Sequence, residues 1–240
     1  MLQRKAFLLP EDFVSSYKNK NIPWGPLGYF VYKRTYARKI QGSDCTEEWF
    51  ETVRRVVEGT YALQRSHCDT MNLHWDNDKA VKSAKIMYDK IFNMKFLPPG
   101  RGLWAMGTDM IWDKGSAALN NCAFISTDNI EEDPTAPFTF LMDMSMLGVG
   151  VGSDTLGKNK LTVVEPTKCE TPFIVPDNRE GWVSLIRMVI GAYFGRNSLC
   201  ESVDYSQVRP FGQDIIGFGG VASGPGPLIT LVENIKSNRF

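Results

Sequence analysis

Two apolar runs with helical spacing in the first half of the chain constrain its fold most strongly. The first run recurs every three to four residues and comprises Trp49, Val53, Val56, Val57 and Tyr61. Asp44 and Glu47 have the spacing of a capping box, which predicts that this helix begins near Asp44. The second run predicts a helix over residues 78–93, because the Pro- and Gly-rich residues 97–102 cannot continue it. Residues 1–95 are therefore predicted to form a helical N-terminal region.

Short apolar segments alternate with helical patterns in the rest of the chain. The predicted strands or extended segments are residues 119–126, 148–152, 161–164 and 203–208. The predicted helices are residues 137–146, the run that follows a box-like start at Asp177 and Glu180, and residues 228–235. Because this alternation is typical of α/β folds, we predict a helical layer that leads into an α/β barrel over residues 96–240.

The composition is that of a globular chain without a bulk charge. Its 240 residues carry 27 basic and 27 acidic side chains, so neither nucleic acid nor an anionic membrane is expected as a partner. No apolar stretch approaches about 18 residues, so no membrane-spanning helix is expected. The apolar run near the first residue is too short for a signal peptide. We therefore expect a cytoplasmic location.

The cysteines and histidines are the candidates for metal or redox chemistry. The five cysteines are widely spaced and include no CxxC pair: Cys45, Cys68, Cys122, Cys169 and Cys200. This pattern disfavours a disulfide scaffold, and His67 and His74 lack an acidic ligand pattern, so no metal site is predicted. Cys122 follows Asn121 in an apolar segment. It is therefore either an inert core thiol or a redox thiol beside a bound substrate.

Three further segments allow both a structural and a functional interpretation. Residues 148–152 do not fit a dinucleotide fingerprint, but the backbone there could approach either a neighbouring strand or a ligand. Residues 219–225 lead into a predicted helix, whose free N–H groups favour an anion, although such turns are common without ligands. Residues 32–38 form a basic patch with interleaved tyrosines, which is either a solvated face or a phosphate site.

Segments along nearly the whole chain resemble, in their order, the monomeric adenosylcobalamin-dependent ribonucleoside-triphosphate reductase family. They are residues 24–28, 32–38, 52–59, 99–104, 107–109, 119–122, 137–141, 150–152, 176–182, 209–212 and 217–225. No single segment is decisive, but their collinear order is hard to obtain by chance. The resemblance implies a helical N-terminal layer followed by the first half of a ten-stranded α/β barrel of the ribonucleotide reductase type.

The resemblance also implies roles for individual residues. Cys122 resembles the first of the two cysteines that become a disulfide when the substrate is reduced. Asn121 and Gly150 resemble substrate contacts in the same pocket, with Gly150 at the family spacing of 28 residues after Cys122. Pro99 is expected to be a further substrate contact.

An effector site is implied as well. Asp128 and Asn129 fall where related reductases hold the ribose of a deoxynucleotide effector. A glycine-rich loop resembles the first of the loops that connect the effector site with the substrate, through Gly219, Gly220, Ser223 and Gly224. Allosteric regulation by a deoxynucleotide is the expectation that follows.

The chain departs from the family pattern in two respects. Residues 153–175 are short where the monomeric family member carries a long insertion that stands in for a dimer partner. The Asn-Pro-Cys-Gly-Glu motif, the second disulfide cysteine and the shuttle cysteines do not occur among these 240 residues, and Cys200 lacks the preceding Asn-Pro. We therefore expect these residues to be inactive alone, as a split subunit or a truncation, and to need a complementary C-terminal reductase polypeptide.

The implied activity is an oxidoreductase that converts ribonucleoside triphosphates to 2′-deoxyribonucleotides for DNA replication. Adenosylcobalamin, held mainly by residues other than these, would generate a thiyl radical that removes the ribose 3′-hydrogen. Cys122 and its partner would then deliver two electrons as the 2′-hydroxyl leaves as water, and a thioredoxin-like protein or small dithiol would restore the thiols. A truncated, non-catalytic nucleotide-binding or assembly module is the main alternative. A glycyl-radical reductase is a second one, and it would need a C-terminal glycyl loop that these residues lack.

Overall fold

Residues 3–40, 42–215 and 220–237 are described by the computed structural model. The chain divides into two units, Met1–Leu119 and Asn120–Phe240, and each is described by itself. This division falls later than residue 95, where the sequence pattern placed the end of the helical region. The assignment of residues 96–240 to a catalytic barrel stays a prediction. In the part of the chain that the structure describes, no helix is long and apolar enough to cross a bilayer.

The first unit is built from helices. They are α1 (Glu11–Ser15), α2 (Pro26–Thr35), α3 (Trp49–Thr70), α4 (Asn77–Phe92), α5 (Gly100–Ala105) and α6 (Asp109–Lys114), followed by a 3₁₀ turn at Ser116–Leu119. Helices α3 and α4 pack along each other and bury the apolar faces that their spacing predicted. Trp49 and Phe92 are fully buried there, and the Trp49 indole donates to the Phe92 carbonyl oxygen at 3.1 Å. The predicted helix over residues 78–93 is confirmed as α4.

The predicted start of the first long helix is wrong by several residues. α3 begins at Trp49, and its capping box is formed by Glu48 and Glu51 rather than by Asp44 and Glu47. Glu47 is not available as a box residue, because its carboxylate pairs with Arg55 at 2.7 and 2.9 Å between nitrogen and oxygen. Arg55 also donates to the carbonyl oxygens of α5 and the residue after it, so this ion pair fastens α3 to α5.

Side chains of the basic patch at residues 32–38 contact other residues of the first unit. Tyr32 is buried, and its hydroxyl donates to the Glu47 carbonyl oxygen at 2.9 Å. The Lys33 ammonium lies 2.6 Å from Glu48 and also donates to backbone oxygens at the start of α3. Arg38 stacks over the Trp104 ring. These contacts favour the structural interpretation of this patch.

A close approach of two glycines holds the turn after α5 against α3. A Cβ atom at Gly59 would overlap the backbone of Gly107. Gly107 itself has a φ of +80°, and a Cβ atom there would overlap the carbonyl oxygen of Arg55. Because side chains are excluded at both positions, the two backbones can touch.

The second unit alternates short strands with helices. Its elements are β1 (Cys122–Ile125), α7 (Ala136–Met146), β2 (Gly150–Ser153), β3 (Lys168–Cys169), β4 (Phe173–Ile174), α8 (Arg179–Tyr193), β5 (Leu199–Cys200), β6 (Val203–Asp204) and α9 (Gly226–Ser237). β1 pairs with β2, β3 with β5 and β4 with β6, and all three pairs are parallel. α7 and α8 are therefore crossover helices, as parallel pairing requires. The α/β class is confirmed for this unit.

The three strand pairs are separate two-stranded sheets among the described residues. No continuous sheet joins them there, so the half of a ten-stranded barrel stays a prediction. The apolar core of the unit lies between α8, α9 and β5, with Val175, Leu185 and Leu228 almost fully buried. The helices predicted over residues 137–146 and 228–235 are confirmed as α7 and α9.

Two strand predictions in this unit are corrected by the structure. Residues 119–126 were expected to form a buried strand, but β1 is shorter and its Phe124 is 64% exposed, since this side chain lies outside the apolar core of the unit. Residues 161–164 form no strand. Their backbone instead runs past the end of α8, where the Val164 N–H donates to the Tyr193 carbonyl oxygen at 2.8 Å.

The predicted start of α8 is corrected by one residue. Asn178 caps the helix, since its side chain accepts a 2.7 Å hydrogen bond from the Gly181 N–H. Asp177 is used elsewhere, because its carboxylate accepts from the Arg209 guanidinium at 2.8 Å. At both Asp177 and Glu47, the carboxylate that the local pattern assigned to a helix cap instead accepts hydrogen bonds from an arginine more distant in sequence.

Replacement of Gly107 by alanine should destabilise the first unit by at least about 3 kcal/mol, because the new methyl group collides with backbone. Gly115→Ala is the matched control. Its φ of +77° and ψ of 178° lie in a region that is essentially restricted to glycine, but nothing lies within 4 Å of the added atom, so a backbone cost of about 1–3 kcal/mol without a collision is expected. Urea unfolding followed by circular dichroism measures both free energies. Equal losses in the two variants would show that the backbone contact is unimportant.

Candidate functional site

The parallel pair β1 and β2 brings together three of the residues singled out in the sequence. Cys122 stands opposite Gly150 in the strand register, and Phe124 stands opposite Gly152. The Gly150 N–H donates to the Asn121 carbonyl oxygen at 2.9 Å. Asn121, Cys122 and Gly150 therefore lie side by side at the start of the strand pair, although their roles stay a prediction.

The turn from α7 into β2 fixes this register. Gly148 follows the helix with a φ of +74°, a conformation that glycine adopts readily. Leu147 and Val149 on either side are buried, which anchors the turn in the interior of the unit. Since the two ends of α7 are tied to β1 and β2, residues far apart in sequence become neighbours.

The Cys122 thiol is exposed. The interpretation of Cys122 as an inert core thiol is therefore wrong for this chain as described. A Cβ atom added to Gly150 would meet only the Asn121 carbonyl oxygen, at 3.7 Å, which is ordinary van der Waals contact. Packing within the described protein does not require a glycine at this position. The space beside Cys122 is open and could be filled by a ligand.

The loops that follow β1 and β2 are tied together at the other end of the strand pair. Asp154 accepts hydrogen bonds from the Thr127 hydroxyl at 2.6 Å, the Thr127 N–H at 2.9 Å and the Leu156 N–H at 3.2 Å. The Thr127 hydroxyl oxygen in turn accepts from the Gly157 N–H at 2.8 Å. The hydrogen bond from the Thr127 side chain is the main cause, and one from the Ser126 side chain the next, of a pKa of the Asp154 carboxyl that lies well below its usual range. Asp154 therefore remains a charged acceptor at neutral pH.

The predicted effector residues lie in these loops. Asp128 and Asn129 are exposed, and the Asp128 carboxylate and carbonyl oxygen both accept from the Lys160 ammonium at 2.6 Å. The hydrogen bond to Asp128 raises the pKa of Lys160. β1 separates this pair from Cys122 by its whole length, roughly 10 Å at the usual rise per residue. The candidate substrate and effector residues are thus at opposite ends of the same strand.

The glycine-rich loop is only partly within the described residues, because Gly219 lies outside them. Gly220 and Gly224 have positive φ values of 85° and 69°. Backbone hydrogen bonds pair residues 212–215 with residues 220–222, including Ala222 N–H to the Gln213 carbonyl oxygen at 2.7 Å. The Ser223 hydroxyl donates to the Gly224 carbonyl oxygen at 3.3 Å. The loop leads directly into α9, as the sequence predicted.

Pro99 belongs to the other unit. It is the exposed N-cap residue of α5, and it makes no side-chain cap hydrogen bond. Its expected contact with substrate stays a prediction. Within the described ranges, no group of three or more His, Cys, Asp or Glu side chains is placed to hold a metal ion.

Two features of this unit have no signal in the local sequence. Asp154 organises the loops after β1 and β2, but an isolated aspartate carries no motif. Cys169 and Cys200 are separated by 31 residues, yet their sulfur atoms lie 3.4 Å apart on β3 and β5. Only the strand register, which local pattern does not reveal, could have indicated this proximity.

Two family models and a solved structure match parts of this chain. A model described as the ribonucleotide reductase alpha domain matches residues 9–108, and a model of the B12-dependent ribonucleotide reductase insertion domain matches residues 151–238. A solved B-12-dependent (class II) ribonucleotide reductase superposes with a TM-score of 0.74 at 30% identity, over 95% of this chain and 39% of that one. The chain is therefore similar to class II ribonucleotide reductases over nearly all of its length.

Curated relatives that match nearly the whole chain share one activity in their names. The adenosylcobalamin-dependent ribonucleoside-triphosphate reductase of Euglena gracilis is 46% identical over 98% of this chain, and the probable one of Dictyostelium discoideum is 45% identical over 97%. The Lactobacillus gasseri enzyme is 32% identical over 95%. The chain spans about a third of the length of these relatives: 33%, 33% and 38%. The match to the insertion domain includes residues 153–175, the segment that was expected to be shorter than the insertion of the monomeric family member.

Replacement of Asp154 by asparagine should loosen the loops after β1 and β2, because a neutral amide oxygen accepts these hydrogen bonds more weakly than a carboxylate does, while side-chain size is kept. We expect amide exchange at Thr127 and Leu156 to become several-fold faster. Asp204→Asn is the control, because the Asp204 carboxylate accepts from the nearby Ser206, including its N–H at 2.8 Å. This substitution should leave exchange at Thr127 unchanged. In the unmodified chain, the depressed pKa preserves protection until the pH falls below the ordinary aspartate range. Unchanged exchange at Thr127 in the Asp154 variant would contradict this.

Proposed function

We propose that this chain serves in an adenosylcobalamin-dependent ribonucleoside-triphosphate reductase, to which it supplies one reducing cysteine and part of the nucleotide pocket. The observation that carries the proposal is the exposed Cys122 thiol in register with Gly150, whose missing side chain leaves open space on the neighbouring strand. The names of the relatives support the substrate class and the cofactor.

The proposed part of Cys122 is that of a two-electron donor shared with a second cysteine. The two thiols lose two protons and two electrons and form a disulfide, the ribose 2′-hydroxyl leaves as water, and a hydrogen takes its place. An exposed thiol at the start of a strand can meet both a nucleotide and a reductant, whereas a buried one cannot. A dithiol or thioredoxin-like reductant then reopens the disulfide by thiol–disulfide exchange.

The residues beside Cys122 are proposed to position the nucleotide. The carbonyl oxygen of Asn121 is engaged by Gly150, but its exposed side-chain amide offers both a donor and an acceptor for a ribose hydroxyl. Gly150 lets the backbone of β2 approach the ligand without a Cβ atom in between. Pro99 is proposed as a further substrate contact on the strength of the family resemblance alone.

Adenosylcobalamin would supply the radical that starts the reaction. We propose that it is held mainly by residues other than those described here. The residues of this chain would contribute the thiol and the nucleotide contacts.

Asp128, Asn129 and the loop that includes Gly219, Gly220, Ser223 and Gly224 are proposed to take part in binding a deoxynucleotide effector. A ribose hydroxyl could share the Asp128 carboxylate with Lys160, because a carboxylate accepts several hydrogen bonds. The position of this pair at the far end of β1 from Cys122 keeps the proposed effector and substrate sites distinct. The first half of a ten-stranded barrel is the proposed setting for both.

Cys122→Ser should abolish multiple-turnover reduction in the complete or reconstituted enzyme while sparing homolysis of the cofactor. Serine has nearly the same volume but cannot form a disulfide, so the two reducing electrons have no source. The measurements are deoxynucleotide product and the cobalamin absorbance change.

The matched controls are the same substitution at Cys45, Cys68, Cys169 and Cys200, which should leave turnover largely intact under reducing conditions. Normal turnover by Cys122→Ser, or an essential role for another cysteine of the series, would refute the assignment.

Gly150→Ala should fold normally but bind nucleotide more weakly. An added methyl group meets open space in the protein but intrudes where the ligand backbone contact is proposed, at a cost of about 1–2 kcal/mol, or roughly 5- to 30-fold in KM. Gly152→Ala is the control, since its added atom would lie 3.8 Å from the Phe124 ring and away from Cys122. If both variants retain the KM of the unmodified enzyme, Gly150 is not a substrate contact.

A further inference from the structure

A second thiol site lies on strands other than β1 and β2. Cys169 on β3 stands directly opposite Cys200 on β5 in the parallel register. The Cys169 thiol donates a hydrogen bond to the Cys200 sulfur, with the two Sγ atoms 3.4 Å apart. Both residues are partly exposed, so small molecules can reach them.

The backbone geometry suits a covalent bond between these sulfurs. Neighbouring strands run about 4.8 Å apart, and disulfides join residues whose Cα atoms are about 4.4–6.8 Å apart. Since the side chains of opposite residues project from the same face, the sulfurs already touch, and rotation about the side-chain bonds is enough to close the gap. The ladder between β3 and β5 is only two residues long, so a covalent bond would reinforce a short pairing.

We propose that Cys169 and Cys200 form a reversible redox pair that closes into an intrachain disulfide when the surroundings become oxidising. The modification is a disulfide bond within the chain, and the co-reactant that takes up the two electrons is a low-molecular-weight disulfide. In a reducing environment both cysteines remain thiols. Burial and the neighbouring Cys169 sulfur raise the pKa of Cys200, which favours its protonated form.

The reaction is a pair of thiol–disulfide exchanges. The thiolate of one cysteine attacks the external disulfide, whose S–S bond breaks and releases one thiol, leaving a mixed disulfide on the protein. The second cysteine, as thiolate, attacks the protein-bound sulfur, forms the Cys169–Cys200 bond and releases the second external thiol. The chain loses two electrons and two protons, and the external disulfide gains them. Excess dithiol reverses both steps.

Formation of the disulfide would restrain residues 131–135, which follow the predicted effector residues Asp128 and Asn129. The chain between the two cysteines contains α8, from which Arg187 donates to Asp133 and Thr135 at 2.9 Å. Arg196, just before β5, donates to the Glu131 carbonyl oxygen at 2.7 Å. A bond at Cys200 therefore fixes the strand next to these contacts, because a cross-link limits the conformations available to the segment between its ends.

The proposal does not rest on the function assigned to Cys122. Neither cysteine lies on β1 or β2, and disulfide formation can be measured without substrate or cofactor. The disulfide could fail to form while Cys122 remains essential for turnover. Conversely, the disulfide could form in a chain whose Cys122 is not needed for turnover.

The test uses the full chain incubated with oxidised glutathione, followed by alkylation of the remaining thiols, digestion with trypsin and mass spectrometry. Trypsin cuts after Lys168, Arg179, Arg196 and Lys236 but not between Arg209 and Pro210. The expected product is therefore one disulfide-linked pair of peptides, residues 169–179 joined to residues 197–236. The link should disappear with dithiothreitol, and it should be absent from Cys169→Ser and Cys200→Ser but present in Cys122→Ser.

Thermal unfolding gives an independent measurement on the unmodified protein. The oxidised form should melt about 5–10 °C above the reduced form, and neither Cys169→Ser nor Cys200→Ser should show this difference. Two outcomes would overturn the proposal: full alkylation of Cys169 and Cys200 after oxidation, or a dominant link through Cys45, Cys68 or Cys122. Because the mapping is made on the unmodified chain, a variant that folds poorly does not weaken the test.

Discussion

The parallel pairing of β1 with β2 is the constraint on which the candidate site depends. Parallel strands cannot be joined by a tight turn, so α7 must cross over between them, and the turn at Gly148 ends that crossover. The register then places Cys122 opposite Gly150. A slip of one residue would turn the Cys122 side chain to the opposite face of the strand pair, so the site is only as well defined as this pairing.

The same construction is repeated around α8. β3 and β4 precede this helix, and β5 and β6 follow it, so that the two short ladders form one crossover unit. Arg187 and Arg196 connect this unit to residues 131–135, which lead into α7. The two crossovers are thus joined by the packing of α7 against α8 and by these arginines, since no shared sheet connects them among the described residues.

Sequence pattern predicted the interiors of the helices better than their starts. Apolar periodicity located the interiors of α3 and α4, because burial of one face is a property of the local spacing. Two helix starts were misplaced because Glu47 and Asp177 bind the distant Arg55 and Arg209, and no local pattern reports such a partner. Family resemblance placed Cys122 next to Gly150, but the proximity of Cys169 to Cys200 follows from a register fixed only by tertiary packing.

The residue opposite each thiol on the neighbouring parallel strand determines whether that thiol can meet a ligand or form a disulfide within the chain. Cys122 faces a glycine, so the space beside its sulfur is open, and the sulfur is available to a ligand that enters from outside the strand pair. Cys169 faces another cysteine, so its sulfur already has a partner, and oxidation can be completed within the chain. An intramolecular partner acts at high effective concentration, which favours closure over reaction with a second external thiol. The parallel register, rather than the presence of cysteine itself, thus determines which thiol faces open space and which can close on its neighbour.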